Sequence, residues 1–185
     1  PIESRWGGWY VTGKTGLGRH LGNAVATSPN EPMLHHNEAN FNLNNLDTRL
    51  DTKSLATPYS DVAALMVLEH QTHMTNLLTL AGWKSRVANY SRSANESIWA
   101  APTETLSHFT SSETIDELVD YMLFIDEAPL TDHIKGTAGF EEKFEAEGPF
   151  DRHGRSLRKI SLNSRLFRYP CSYMIYTAAF DALPV

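Results

Sequence analysis

Cysteine occurs once in the chain, at Cys171. One thiol excludes an intramolecular disulfide, a zinc site built on paired cysteines, and the Cys-x-x-Cys-His attachment of a c-type haem within these residues. Long apolar runs are missing too: none reaches the ~18 residues a transmembrane helix needs. Positive charge is in deficit, with 16 Lys and Arg against 22 Asp and Glu and a formal net charge of -6. That balance argues weakly against nucleic acid, whose phosphates reward clustered Lys and Arg. No Gly-x-Ser-x-Gly elbow of a serine hydrolase is present. The run Gly13-Lys14-Thr15-Gly16-Leu17-Gly18 lacks the earlier glycine of a Walker loop, so nucleotide binding has no support. There is also no initiator Met and no signal peptide. A chain that opens Pro1-Ile2-Glu3-Ser4 is expected to be a piece of a longer protein.

What is present suffices for a core. With 185 residues, 41% of them hydrophobic, the chain suits one domain over 1–185. Residues 1–59 read as an extended arm followed by a long loop, and 60–185 as a helical body. The fold expected is mainly α, with about five helices and an extended or β-hairpin N-terminal arm. Aromatic and β-branched residues among glycines in Trp6-Gly7-Gly8-Trp9-Tyr10-Val11-Thr12-Gly13 suggest the hairpin. Trp6, Trp9, Trp83 and Trp99 are expected to anchor core and loops. Residues 28–59, rich in Asn, Asp, Pro and Thr, read as an ordered loop carrying His35-His36, which could coordinate a ligand but more ordinarily faces solvent.

The chemistry concentrates on the first helix, expected over about 60–82, with Ser60 as N-cap, Asp61 at the positive dipole end and Gly82 as the stop. At 3.6 residues per turn Val62, Leu65, Met66, Glu69, His73 and Asn76 share a side, and Met66, His70 and Met74 stack one turn apart beside it. An imidazole between two thioethers can serve a haem or a metal, or simply pack. Glu69 and His73 can hold a metal together, or form a helical ion pair. A second helix is expected over 83–99 and a third from Ser112, through Ile115, Leu118, Val119, Met122 and Leu123. A short one follows over Thr137–Glu147, through Phe140 and Phe144 and stopped by Gly148-Pro149. Cys171 to Leu183 closes the chain as a helix or an irregular packed segment. Arg155, Arg158, Arg165 and Arg168 cannot lose their charge, and Asp126 and Glu127 are the expected internal partners, with an anionic ligand as the alternative.

Several strings together resemble a family of secreted bacterial cytochrome-c-like proteins. They are Arg5-Trp6-Gly7-Gly8-Trp9-Tyr10-Val11-Thr12-Gly13, Arg19-His20-Leu21-Gly22-Asn23 and Leu65-Met66-Val67-Leu68-Glu69-His70-Gln71. Further on are Asp126-Glu127-Ala128-Pro129-Leu130, Gly154-Arg155-Ser156-Leu157-Arg158 and the run from Arg165-Leu166-Phe167-Arg168 to Tyr176. The likeness runs from end to end. Such proteins carry a Cys-x-x-Cys-His segment upstream, behind a secretion signal, and that segment is absent from these residues. The resemblance implies the helical part of an exported, periplasmic or extracellular c-type haem protein that transfers electrons or does redox chemistry. Its partners would be a haem-bearing region or subunit of the same system and a redox partner protein. His70 becomes the first candidate axial ligand, with Met66 and Met74 as thioether alternatives. His20 falls in a matching string, and the four arginines could hold haem propionates. The competing expectation is a non-catalytic interaction or scaffold domain of a secreted assembly.

Overall fold

The computed structural model describes residues 2–25, 38–93 and 112–184. The fold is mainly α: helix α1 spans Val62–Ser93, α2 Ser112–Met122, α3 Phe140–Ala146 and α4 Ala178–Asp181. Three short 3-10 turns accompany them, at Ile2–Ser4, Glu38–Asn40 and Tyr173–Tyr176. Packing divides the chain into two compact units, Pro1–Leu68 with Glu127–Tyr169, and Glu69–Asp126 with Pro170–Val185. The described residues up to 59 share a unit with the first turns of α1 and with 127–169.

Among the described residues the first unit has no strand and no hairpin. The segment Val11–Thr15 is strand-like, yet almost every residue pairs with a different part of the chain. Asn23 receives the Val11 N–H on its side-chain oxygen (2.7 Å) and donates back to the Val11 carbonyl (2.8 Å), standing in for a neighbouring strand. Thr12 bridges the 60–62 segment, donating to the Ser60 carbonyl (2.7 Å) and accepting from the Val62 N–H (2.8 Å). Gly13 donates to Leu43 and Lys14 exchanges both bonds with Lys135, while the Thr15 N–H donates to the Asn42 side chain. Buried backbone groups must be paired, and here five short crossings satisfy them in place of one ladder. The core beneath includes Val11, Phe41, Leu46, Val62, Ile134, Phe144 and Phe167. Of the tryptophans, Trp6 is buried there, Trp9 and Trp83 are about half exposed, and Trp99 lies outside the described residues, as does His35-His36.

Helix α1 corrects two sequence expectations. Its N-cap is Asp61, not Ser60: the Asp61 Oδ1 accepts the N–H groups of Ala63 (2.9 Å) and Ala64 (3.3 Å). And Gly82 does not stop it. An interior glycine costs only about 1 kcal/mol relative to alanine, so α1 continues to Ser93 and absorbs most of the second helix expected over 83–99.

In the second unit Met74, Leu77, Leu78, Ala81, Leu118, Tyr173 and Met174 are buried. Helix α2 buries Thr114 and Leu118, whereas Ile115 and Val119 stay partly exposed. Its end is a Schellman closure: the Ile125 N–H bonds the Asp120 carbonyl (2.9 Å) and the Phe124 N–H that of Tyr121 (3.3 Å). The left-handed residue that closure requires is usually glycine; here it is Phe124, at φ 55°.

Candidate functional site

A cluster of chemically capable side chains surrounds His70, within the second unit. His70 points from α1 into a buried position, 3% exposed, and its Nε2 lies 2.7 Å from the Ser172 Oγ. Ser172 is fully buried and caps the 3-10 turn that follows: its Oγ accepts the Met174 N–H (3.1 Å), and its own N–H donates to the last α2 residue, at the Met122 carbonyl (2.8 Å). One serine thereby ties three elements. The strained Phe124 places its ring nearly parallel to the imidazole at 5.0 Å, Tyr121 does so at 5.2 Å, and Tyr173 leans in at 6.1 Å. Burial, and after it the neighbouring His73, pull the His70 pKa down to about 4. The imidazole is thus neutral at physiological pH.

Neutral imidazole ligates iron, but haem does not fit these surroundings. The nitrogen facing away from the helix is committed to Ser172, and the ring is packed among three aromatics. Met74 is fully buried in the same unit. Met66 belongs to the first unit and lines a cleft of about 250 Å³ there, below the ~300–1,000 Å³ of sites for drug-sized ligands. His20, also in the first unit, is 1% exposed and accepts the Gly22 N–H on Nδ1 (3.1 Å). Its ring meets Trp6 and Phe41 edge-on at 5.5 and 5.1 Å. It packs as a core histidine.

Among the described residues no third His, Cys, Asp or Glu joins Glu69 and His73 in a ligand group. His73 instead sets its edge against the Tyr121 ring at 4.4 Å. Cys171 is half-buried, and burial pushes its thiol pKa up, the opposite of what a nucleophile needs.

Three of the four arginines have carboxylate partners inside the first unit. Arg155 pairs with Asp151 (2.7 Å), Arg158 with Glu147 (3.1 Å) and Arg165 with Glu127 (3.4 Å). Arg158 also lies over the Phe144 ring at 4.8 Å, and Arg168 sits 6.0 Å from the Tyr169 ring. Of the two expected acidic partners, Glu127 meets an arginine among the described residues.

Sequence reasoning missed the role of Asp61. Beyond capping α1, its Oδ2 accepts the N–H groups of Thr137 (2.7 Å) and Ala138 (2.8 Å). A carboxylate 5% exposed is thereby satisfied by four backbone N–H groups. The sequence placed Asp61 at the positive end of the helix but gave the cap to Ser60, and its tertiary partners at 137–138 left no local signal.

Among known proteins, no family model, no curated protein and no solved structure matches this chain.

Proposed function

We propose that this chain is a non-catalytic scaffold or interaction module of an exported assembly. The observation that carries the reading is the closed His70–Ser172 pair, 2.7 Å apart with both residues buried. A general base or axial ligand must reach a substrate or an iron, whereas this imidazole spends its outward nitrogen on joining α1 to the C-terminal segment. Asp61 and Asn23 follow the same pattern, placing side-chain oxygens on backbone amides.

A second reading rests on the resemblance of the quoted strings to secreted bacterial cytochrome-c-like proteins. In it the chain is the helical body of a periplasmic or extracellular redox protein whose haem and axial ligands lie on another segment. The arginine-bearing loops would then face a redox partner. The two readings share a structural His70 and differ in the company the module keeps.

The gene sequence upstream of Pro1 tests the company: a Cys-x-x-Cys-His there favours the redox body, and its absence favours the plain scaffold. His70→Ala, made in that longer protein, tests the role. A lowered unfolding midpoint with unchanged haem bands is the expected outcome. Shifted haem bands at unchanged stability would overturn the structural assignment.

A further inference from the structure

Helix α2 carries more apolar surface than its core contacts use. On its core side Thr114 and Leu118 are buried and Tyr121 and Met122 half-buried. Ile115, Val119 and Leu123 form a second row beside these, at four-residue steps, and are 44%, 38% and 37% exposed. Leu123 follows the last residue of α2, yet its N–H still bonds the Val119 carbonyl (2.9 Å), so the row keeps its helical spacing. At 1.5 Å per residue the row is about 12 Å long. Single exposed apolar residues are ordinary, whereas a contiguous row of them marks an interaction surface.

An acidic strip borders this row on its outer side. Glu113, Asp116, Glu117 and Asp120 occupy the adjoining face of the helix, all exposed, and α2 contains no Lys or Arg. The side chains of Glu113, Glu117 and Asp120 have no hydrogen bond or ion pair among the described residues. In the first unit, by contrast, Glu127, Glu145 and Glu147 each meet a cation. Where helices pair, charges flanking an apolar seam select the partner by opposite sign. The chain's own neighbouring sequence lacks that sign: residues 94–111 hold Glu96 and Glu104 and no Lys or Arg. A second copy docking α2 on α2 brings no cation either.

We propose that this face of α2 docks a basic amphipathic helix of another protein. Its apolar side chains seat on Ile115, Val119 and Leu123, and its lysines or arginines stand against Glu113, Glu117 and Asp120. The row matches about two turns of such a helix, and anchors one turn apart are the usual pattern of helix recognition. This partner deepens the interaction-module reading and rests on it. The two fail separately: shifted haem bands in His70→Ala would overturn the module, whereas only binding at α2 bears on the partner.

The test is fluorescence anisotropy of a labelled Leu/Lys peptide of about four helical turns, with its leucines on one face, titrated with the full chain. One control peptide scrambles the same residues, and another has Glu in place of every Lys. The amphipathic Leu/Lys peptide is expected to bind, and each control to bind about tenfold more weakly or worse. Ile115→Ser with Val119→Ser should weaken binding about tenfold, as should Glu117→Gln with Asp120→Asn, both at preserved thermal unfolding midpoints. Glu3→Gln with Glu142→Gln removes the same charge from the first unit and should leave binding unchanged. No binding by the folded wild type overturns the proposal. So does an equal loss in the first-unit pair, which would be bulk charge alone. Self-association that the serine pair abolishes would give the row to a second copy, and a lowered midpoint in that pair would give it to the chain's own packing; either overturns the proposal.

Discussion

Asp61 and Thr137, 76 residues apart in the chain, are joined by a 2.7 Å bond from the Thr137 N–H to the Asp61 Oδ2. The same carboxylate caps α1 through its other oxygen. The start of the longest helix and the approach to α3 are therefore set by one side chain, and the first unit's core closes around it.

Asp61→Ala should destabilise the fold by about 1.5–5 kcal/mol. Loss of an N-cap costs about 0.5–2 kcal/mol, and the part-buried amides of Thr137 and Ala138 would each lose a bond worth about 0.5–1.5 kcal/mol. Asp61→Asn keeps one acceptor oxygen and should lose about half as much. Urea unfolding measures both; a loss under about 1 kcal/mol for the alanine variant would mean the 137–138 bonds contribute nothing.

Gly136 should be unable to carry a side chain while Asp61 is present. A Cβ there would come within 2.5 and 2.6 Å of the two Asp61 carboxylate oxygens, and forced contacts of this kind cost about 1–3 kcal/mol. A double-mutant cycle gives a sharper reading than either variant alone. Gly136→Ala should cost clearly less in the Asp61→Ala background, and strict additivity would show that the two positions do not meet.

Side-chain bonds to distant backbone explain which parts of the fold were legible in the sequence. Helix α3 was legible because Phe140 and Phe144 stand one turn apart, and their rings do stack, at 5.4 Å. Helix α2 was legible by its period, though the period overstated its buried face: Leu118 is covered while Ile115 and Val119 remain partly exposed. The N-terminal arm was not legible. A run of aromatic and β-branched residues reads as a hairpin when its partners are strands, but Val11–Thr15 is paired by Asn23, Asn42 and scattered backbone, which leave no periodic trace.

The candidate site was half legible. The burial of His70 follows from an apolar helix face, and residues 60–80 do lie largely on one helix. Its partner Ser172, 102 residues away, carries no local signal beyond a capping preference before the 173–176 turn. That is why a ligand and a structural histidine could not be told apart from spacing. The cleft was invisible for the same reason: Arg5, Met66 and Asp132 meet only through the fold.

The Glu127–Arg165 pair should be worth little. Its separation is 3.4 Å, with the side chains 23% and 34% exposed, and partly exposed pairs contribute under about 1 kcal/mol. Alanine at each position and at both, followed by urea unfolding, should give a coupling below that figure. A coupling of about 3 kcal/mol or more would place the pair with buried ones, where removing one partner strands a charge.

Replacing Ser172 separates its two functions. Ser172→Ala removes the His70 partner and the cap on the Met174 N–H, leaving buried groups unmatched at a cost of about 1–3 kcal/mol each. Ser172→Gly opens a void as well and should lose more. Thermal unfolding that leaves Ser172→Ala within ~0.5 kcal/mol of wild type would dissolve the staple between α1 and the C-terminal segment.

His70 should make stability depend on pH in the mildly acidic range. Its pKa falls from the ordinary 6.5 to about 4 on folding, chiefly through burial and secondarily through His73. Between those values the unfolded chain binds a proton that the folded chain refuses, so acid favours unfolding. The contribution is complete above about pH 6.5 and is lost as pH falls toward 4. A shift of that size corresponds to about 3 kcal/mol at 1.36 kcal/mol per pH unit. Carboxylates add their own dependence at lower pH, so the comparison must be with His70→Gln, which has nothing to titrate at this position. The stability difference between wild type and variant should narrow steadily from pH 7 to pH 4.5. A difference that stays flat across that range would mean His70 keeps its solution pKa, and the sealed contact with Ser172 would have to open readily to water.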